Sequence, residues 1–561
     1  MSSSLKSPRG HGATDRGLLE AAHATASNQI NRRAFEGRFG RMFPDLPAAI
    51  FFYDELKTLA TDMGVDAKAE PDQTPETSAD SEENFGLPAG YTYFGQFVDH
   101  DMTLDAVSLS MQQEDLNAVE NFRTPALDLD SLYGRGPADQ PYMYDEHERL
   151  FLLGDRMLTS GEAGADIAPD LPRFKTRAII GDKRNDENVI VSQLHGLFLR
   201  LHNKIASMCP KLDFNAVRQQ VRWHYQWLVL FDYLPRILGK SLIDELVPTI
   251  GVKPVLKHFK FAVTAFMPVE FSGAVYRFGH SMVRPIYRLN CADDIGGPDG
   301  DKARRLVFNQ TDGATAGSGK GLNGFGVFDQ GLGIDWSLFF ETPGRTLEGE
   351  IGRGKARIQP AYKIDTSLVF PLTRLPEFSR PDGEPIGTEM TNVLAFRNMQ
   401  RGMMLLLPSG QSIAVAMGCT VIADEDLIVE KADAQHLRSV PGAKPLRCIT
   451  TGRPRMAGSA PLWFYVLAEA RHGWRKDAEA YMAAHPQMDA ATRDAAIDRI
   501  PVRLGDVGGR IVAEAFVGLL AGDTRSLLNE GSRFCPMFGA ERGDRFQRFT
   551  MGDLVTAMAS P

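Results

Sequence analysis

The chain has 561 residues, a length that suits one large domain or a few ordinary ones. Hydrophobic residues make up 43% and charged residues 24%, a balance typical of soluble globular proteins. The net charge of -9 argues against nucleic acid or an anionic membrane surface as the main partner. The five cysteines are scattered and include no CxxC pair, so neither a disulfide framework nor a zinc cluster is indicated.

The N-terminal residues carry charge but lack the apolar core that a secretory signal needs. No apolar run elsewhere in the sequence reaches the length that spans a membrane. We therefore expect a cytoplasmic protein with reduced cysteines by default, while export by a route that needs no N-terminal signal stays open.

Helical periodicity dominates the sequence, and long alternating strand patterns are scarce. An amphipathic helix is predicted over residues 45–62, and a flexible connector rich in acidic residues, Pro and Ser follows over 65–84. The later predicted helices, in chain order, cover residues 187–206, 217–238, 461–472 and 509–520. Residues 292–334 are rich in Gly and Asp and predict a long surface loop. The predicted fold is mainly α-helical, with residues 1–84 as an N-terminal segment and 85–561 as one domain.

Polar side chains are concentrated in residues 94–101, an otherwise apolar run. On a helix, Gln96, Asp99 and His100 project to one side and Asp101 turns toward another. Burying a histidine beside a carboxylate costs free energy unless the groups are paired, which favours a functional site. The plainer interpretation is a capped helix start with a satisfied structural histidine.

Acidic residues alternate with apolar ones after Thr124. On an extended backbone, Asp128 and Asp130 point to the same side as Thr124 and Ala126. Oxygen ligands on alternate residues are what calcium requires, and Asp101 would supply a distant carboxylate. A turn whose acidic side chains face water is the competing interpretation.

A charged turn precedes the helix predicted over residues 187–206. Arg184 and Glu187 lie three residues apart and can share a face. Acidic residues in a first turn also suit the helix dipole, so a purely structural role is the plainer alternative. His195 and His202 lie seven residues apart on this helix, and without a third ligand at suitable spacing we predict that they pack or lie at the surface.

Two further segments combine cationic and polar residues at helical spacing. Arg277 precedes His280 by three residues, and Gly279 removes bulk beside the imidazole, so a flat anionic ligand would fit this face. Asn398 and Arg401 also lie three residues apart, in a stretch rich in Met and Leu. A lone histidine in an amphipathic helix is also compatible with a structural role, and an exposed Asn-Arg pair needs no partner.

Taken together, these segments resemble the animal-type haem peroxidases of the peroxidase–cyclooxygenase superfamily, in the form of a bacterial member. The resemblance covers roughly residue 85 to the C-terminus and keeps the order of the family's motifs. It implies a mainly helical peroxidase domain over 85–561, with haem b buried between a distal and a proximal helix.

The resemblance implies a role for each residue that faces the iron. His100 corresponds to the distal histidine, Arg184 to the distal arginine, and Gln96 to a distal glutamine that orders water or halide. His280 corresponds to the proximal ligand of the haem iron. Asn398 corresponds to the asparagine that accepts a hydrogen bond from that imidazole and so raises its basicity.

The remaining residues match family residues that bind haem or calcium. Arg277 and Arg401 match arginines that pair with haem propionates. Asp99 and Glu187 match carboxylates that form ester bonds to haem in the mammalian enzymes, and whether these esters form here stays open. The implied calcium ligands are Asp101, Thr124, Ala126 through its carbonyl, Asp128 and Asp130. The family has serine where this chain has Asp130, a departure that keeps an oxygen donor.

The activity implied by the resemblance is a peroxidase reaction. Hydrogen peroxide is reduced through a ferryl intermediate, and bromide, iodide, thiocyanate or a phenolic donor is oxidised. The mammalian enzymes that oxidise chloride carry a methionine where this chain has Asn188, so we expect inefficient chloride oxidation. The implied partners are hydrogen peroxide and a small reductant, and no oligomeric state is implied.

Two alternatives stay open at this point. A fatty-acid dioxygenase carries a radical tyrosine three residues before the proximal histidine, where this chain has Arg277, and Tyr276 is one position off. A catalytically idle interaction protein with the same scaffold would tolerate losses at the site, whereas His100, Arg184 and His280 are all present.

Overall fold

A computed structural model of the chain describes residues 39–64, 80–103, 126–158, 167–261, 265–290, 304–308, 321–350, 357–380, 384–386, 389–437, 446–539 and 548–559. α-Helices make up most of the regular structure in these ranges. In chain order they are α1 Tyr53–Asp62, α2 Gly90–Met102, α3 Asp130–Tyr133, α4 Val189–Met208, α5 Phe214–Leu228, α6 Leu234–Leu238, α7 Lys240–Leu246, α8 Val269–Gly273, α9 Leu394–Met404, α10 Gly410–Met417, α11 Leu462–Ala484, α12 Ala490–Asp498, α13 Asp506–Gly522, α14 Leu527–Glu530 and α15 Met551–Ala559. The prediction of a mainly α-helical fold is confirmed.

The strands are short, and every sheet in the described ranges has two strands. In chain order the strands are β1 Phe39–Gly40, β2 Glu83–Pro88, β3 Arg156–Leu158, β4 Ile167–Pro169, β5 Arg173–Phe174, β6 Arg177–Ala178, β7 Met267–Pro268, β8 Ile286–Arg288, β9 Arg304–Leu306 and β10 Pro360–Tyr362. β1 pairs with β7 in parallel, while β2 with β10, β3 with β4, β5 with β6 and β8 with β9 are antiparallel. β9 lies inside the segment predicted as a long loop, so part of that segment is a hairpin.

The first helix is shorter than predicted. It begins at Tyr53 instead of residue 45. Pro44 and Pro47 disfavour helical backbone in the residues before them. The segment pairs elsewhere instead, since the backbone nitrogen of Ala49 donates to the carbonyl of Leu407 at 2.9 Å.

The later predicted helices are present, with different ends. α4 begins at Val189 because the side chain of Asn188 accepts hydrogen bonds from the next turn. The helix predicted over 217–238 consists of α5, a π-helical turn over Val229–Tyr233, and α6. α11 extends to Ala484, well beyond the predicted end at residue 472. Among the described residues, no helix combines the length and apolarity needed to cross a membrane.

The predicted flexible connector ends inside packed structure. Residues 65–79 lie outside the described ranges, but β2 begins at Glu83, which is fully buried. Its carboxylate accepts a hydrogen bond from Arg284 at 2.9 Å and a second one from Arg357. An acidic residue counted as part of a solvated linker is therefore an ion-paired core residue.

Aromatic packing holds α2 against α4 and α5. The rings of Phe97 and Phe198 stack with their centroids 5.0 Å apart, and Tyr225 meets Phe97 edge-on at 6.1 Å. The hydroxyl of Tyr276 donates to the carbonyl of Gly95 at 3.2 Å and so ties α2 to a 3-10 helix over Val275–Met282. α2 is thus held from two sides, which positions the polar residues near its C-terminal end.

Candidate functional site

The first half of the candidate site joins α2 to the start of α4. His100 Nδ1 lies 2.8 Å from Asn185 Oδ1, and His100 Nε2 lies 3.7 Å from a carboxylate oxygen of Glu187. Gln96 Nε2 donates to Glu187, and Asn188 Nδ2 lies 3.4 Å from Gln96 Oε1. The structure therefore brings together Gln96, His100 and Glu187, which are separated by up to 91 positions in the sequence.

Arg184 is held against the C-terminal end of α2. Its Nη2 donates to the carbonyls of His100 and Thr103 at 2.8 and 2.6 Å and to Asp182 Oδ2 at 2.7 Å. Its Nε also donates to Asp182, at 3.1 Å. Within the described residues, Nη1 makes no hydrogen bond and is the nitrogen left to face a ligand. Asp182 itself caps the short 3-10 helix over Lys183–Asp186.

Burial controls the charge of this cluster. It lowers the pKa of His100 to about 4, helped by the positive charge of Arg184, so the imidazole is neutral at pH 7. It raises the pKa of Glu187 to about 7 against the opposing effect of Arg184. The side chain of Glu187 is nevertheless 32% accessible. The Glu187 carboxyl group is therefore desolvated by the protein around it and still partly accessible.

Asp99 lies on the same helix and is partly accessible. Its Oδ1 accepts a hydrogen bond from Thr103 Oγ1 at 3.1 Å, and its charge is one of those that raise the pKa of Glu187. The two carboxylates predicted to form ester bonds to haem, Asp99 and Glu187, therefore lie close enough for their charges to interact.

His280 forms the second half, on the 3-10 helix over Val275–Met282 rather than on the amphipathic α-helix predicted there. Its Nδ1 lies 2.9 Å from the amide nitrogen of Asn398 on α9. Burial lowers the pKa of His280 to about 3, with a further contribution from Arg277. A Cβ built at Gly279, the residue before His280, would meet no described atom within 4 Å.

The two arginines predicted to pair with propionates occupy different settings. Arg277 is partly buried, and its Nε donates to the carbonyl of Ser272 at 3.1 Å. The backbone carbonyl of Arg277 accepts from Trp463 Nε1 at 3.0 Å, which fixes this segment against α11. Arg401 is partly buried on α9, one turn after Asn398. A 3-10 helix places residues three apart on one side, so Arg277 and His280 share a face.

A third cluster lies behind α2. Ligand atoms of Asp101, Asp128 and Asp130 lie within 4.8 Å of one another, and all three residues are buried. The turn is not extended as predicted, because Leu129 adopts a left-handed conformation with φ of 57°. Arg222 supplies one positive charge, with Nη2 3.7 Å from Asp128 Oδ2. The charge of Arg218 also acts on Asp128. Three carboxylates grouped in this way present the oxygen donors that a divalent cation binds.

The other predicted calcium ligands are less defined. Ala126 is buried next to this cluster in sequence, while Thr124 lies outside the described residues. Asp101 already accepts hydrogen bonds from the backbone nitrogen of Leu129 at 3.0 Å and from Ser131 Oγ at 3.2 Å. The carboxylate therefore anchors the turn as well as facing the cluster.

Sequence reasoning missed Asn185 and misjudged His195. Asn185 is fully buried between the two histidines, with its Nδ2 3.0 Å from His195 Nδ1. His195 is buried, as one of the predicted alternatives had it, but it contacts the site instead of only packing. No periodic signal marks Asn185, because its partners lie on two different helices and its own 3-10 turn has no apolar pattern.

A sequence model of the family described as animal haem peroxidase matches residues 111–319. This range includes Arg184, Glu187 and His280, whereas His100 and Asn398 lie outside it. Among curated proteins, thyroid peroxidase of Sus scrofa is 28% identical over 205 residues, which is 32% of this chain and 21% of that protein. Peroxidase mlt-7 of Caenorhabditis elegans is 30% identical over 116 residues, 19% of this chain and 15% of that protein. The chain therefore aligns with only a minor part of these relatives.

The structural similarity covers more of the chain than the sequence similarity does. Peroxidase A from Dictyostelium discoideum superposes with a TM-score of 0.50 at 16% identity, covering 95% of this chain and 96% of that one. The similarity spans nearly the whole of both chains. This chain thus shares the overall fold of that peroxidase.

Proposed function

We propose that this chain, which matches animal haem peroxidases over one segment and shares the fold of a peroxidase, reduces hydrogen peroxide and oxidises a small donor. The observation that carries the proposal is a pair of histidines, His100 buried and His280 partly buried. His100 and His280 are each held through Nδ1 by an asparagine side chain, at 2.8 and 2.9 Å. Burial keeps both rings neutral at pH 7, so Nε2 of each ring is the nitrogen left to bind iron or to move a proton.

The residues present fit haem. Nε2 of His280 would bind the iron, and Gly279 beside it carries no side chain that would stand against a flat ring system. Asn398 would then accept the Nδ1 proton, which requires its amide to turn over from the orientation described above. Arg277 and Arg401 would pair with the propionates. When bound, haem would supply a redox-active iron to which peroxide can coordinate.

The proton chemistry would fall to His100. The neutral imidazole would accept a proton from hydrogen peroxide at Nε2 and return it to the departing oxygen, so that the ring ends the step unchanged. Nη1 of Arg184 would stabilise the negative charge that develops as the O–O bond breaks. Gln96 would order the peroxide or a water beside them, since it already lies against Glu187.

Two observations, one at Asn188 and one at Tyr276, bear on which substrate donates electrons. Asn188 takes the place of the methionine found in chloride-oxidising relatives, so bromide, iodide, thiocyanate or phenols are the proposed donors. A fatty-acid dioxygenase activity has less support. The hydroxyl of Tyr276 bonds to Gly95 and lies 3.3 Å from that of Tyr233, within the packing around α2.

Calcium is proposed at the cluster of Asp101, Asp128 and Asp130. The argument rests on charge and donor type, since three buried carboxylates with ligand atoms within 4.8 Å of one another offer the oxygen ligands that a divalent cation binds. Oxygen-only ligands favour calcium over a softer metal. Because Asp101 follows His100 directly, a cation here would brace the helix that carries the proton-transfer residue.

The test is a His100→Ala variant loaded with haem. We expect the reaction with peroxide, followed through the Soret band in a stopped-flow instrument, to slow by about 10²–10⁴-fold. His224→Ala serves as the control, because it also removes a buried imidazole but one that packs against Phe534 and Phe538. An unchanged rate in His100→Ala, or a wild-type chain that takes up no haem, would refute the proposal.

A further inference from the structure

The proposed distal histidine, His100, is the last of three buried side chains that are linked by hydrogen bonds. His100 Nδ1 lies 2.8 Å from Asn185 Oδ1, and Asn185 Nδ2 lies 3.0 Å from His195 Nδ1. Asn185 and His195 are 0% exposed and His100 is 5% exposed. His195 is further fixed by Phe97, whose ring meets it edge-on with centroids 6.1 Å apart.

The two ends of the Asn185 amide differ, because its oxygen accepts hydrogen bonds and its nitrogen donates them. An amide oxygen only accepts hydrogen bonds, so the Nδ1 of His100 that faces it must carry the ring proton. An amide nitrogen only donates, so Nδ1 of His195 must be bare and its proton must lie on Nε2. The orientation of the Asn185 amide, with its oxygen toward His100 and its nitrogen toward His195, thus sets the tautomers of both rings together.

We infer that Asn185 and His195 are positioning residues that hold His100 as the Nδ1–H tautomer, with the lone pair of Nε2 on the side of Glu187. The inference rests on the proposed function, in which Nε2 takes a proton from peroxide. A ring with its proton on Nε2 could not perform that step. The inference concerns which nitrogen of a neutral ring carries the proton, and not the pH at which the ring titrates.

The direct test is the tautomer itself, measured on the full-length, haem-free chain labelled with ¹⁵N-histidine. Long-range ¹H–¹⁵N correlation spectra distinguish a protonated from a bare ring nitrogen, and His100→Gln assigns the resonance by its loss. We expect His100 to carry its proton on Nδ1 and His195 on Nε2. A proton on Nε2 of His100 in the wild-type chain would overturn the inference.

Two other buried histidines supply internal references. His202 Nε2 lies 2.9 Å from the carbonyl of Arg149, so its proton is expected on Nε2. His224 Nδ1 lies 2.8 Å from the carbonyl of Gln220, and its Nε2 accepts from the backbone nitrogen of Met537, so its proton is expected on Nδ1. The same spectrum thus contains one known example of each tautomer.

Substitutions at Asn185 then distinguish an effect on the tautomer of His100 from a loss of packing. In Asn185→Leu both hydrogen bonds are lost, and we expect the His100 proton to redistribute between its two nitrogens. In Asn185→Asp the acceptor for His100 remains, but a carboxylate now faces His195, so we expect His195 to move its proton to Nδ1 while His100 stays unchanged. A His100 tautomer that is the same in Asn185→Leu as in the wild type would contradict the inference.

The haem-loaded protein distinguishes this inference from the proposed function. We expect Asn185→Leu to slow the reaction with peroxide at least tenfold and Asn185→Asp to keep it within a few-fold of the wild type. Equal slowing in both variants would contradict a role through the tautomer. A wild-type chain with the expected tautomers but no reaction with peroxide would support the positioning assignment and refute the peroxidase proposal.

Discussion

Asn188 connects the start of α4 to the distal cluster. Its Oδ1 accepts hydrogen bonds from the backbone nitrogens of Ile190 and Val191 at 3.1 and 2.9 Å. Its Nδ2 lies 3.4 Å from Gln96 Oε1. A methionine at this position could do neither, because it has no N–H donor in its side chain and its sulfur accepts only weakly.

We expect Asn188→Ala to lower the free energy of unfolding by about 1 kcal/mol, because the first turn of α4 loses its cap. The measurement is the midpoint of urea unfolding with an unchanged slope. Asn188→Ser is the matched control, since serine also caps helices, and it should keep most of the stability. An alanine variant as stable as the wild type would show that the cap contributes nothing.

At the scale of elements, α2 contributes adjacent residues, His100 and Asp101, to two different sites. His100 faces the cluster with Asn185 and Glu187, while Asp101 faces away, toward Leu129 and Ser131. The sequence predicted this divergence from helical geometry alone. It did not predict the left-handed Leu129, because a leucine with positive φ is held there by its surroundings and not by its own preference.

We expect calcium to stabilise the full-length protein through the Asp101, Asp128 and Asp130 cluster. A chelator should lower the melting temperature, and added calcium should restore it. At a concentration 100 times its dissociation constant, the ion would contribute about 2.7 kcal/mol. Differential scanning calorimetry with and without calcium provides the measurement.

Asp128→Asn should abolish most of this response to calcium, whereas Asp139→Asn, the same change at a side chain that is 53% accessible, should leave it intact. A melting temperature that is indifferent to chelation in the wild type would contradict the calcium proposal.

At the scale of the whole molecule, several buried histidines make the fold sensitive to acid. His224 shows the effect apart from the proposed site. Burial lowers its pKa to about 4, while in the unfolded chain the pKa is about 6.5. Between these values the unfolded state binds a proton that the folded state does not, so the free energy of unfolding falls as the pH is lowered from about 6.5 to about 4.

His224→Gln should therefore reduce the acid sensitivity of the protein. At about 1.36 kcal/mol per pKa unit, the wild type should lose about 3 kcal/mol more than the variant between pH 6.5 and 4. Urea unfolding at a series of pH values measures the difference. His147→Gln, at a side chain that is 77% accessible, is the control and should follow the wild type. Parallel pH profiles for His224→Gln and the wild type would contradict the prediction.

By itself, the sequence determined the helical class of the fold and most helix positions, because apolar residues recur at helical spacing regardless of what they pack against. It also placed Gln96 and His100 on one face and Asp101 on another, which follows from a single helix. Helix ends were less predictable, as at Tyr53, because they depend on caps and on pairing with distant segments.

Only the tertiary structure decided which polar groups meet. The contact of His100 with Asn185 spans 85 positions, that of His280 with Asn398 spans 118, and that of Glu83 with Arg284 spans 201. Local periodicity carries no information about such pairs. They form because buried polar groups have lost their contacts with water and are stabilised by partners that the packed chain supplies.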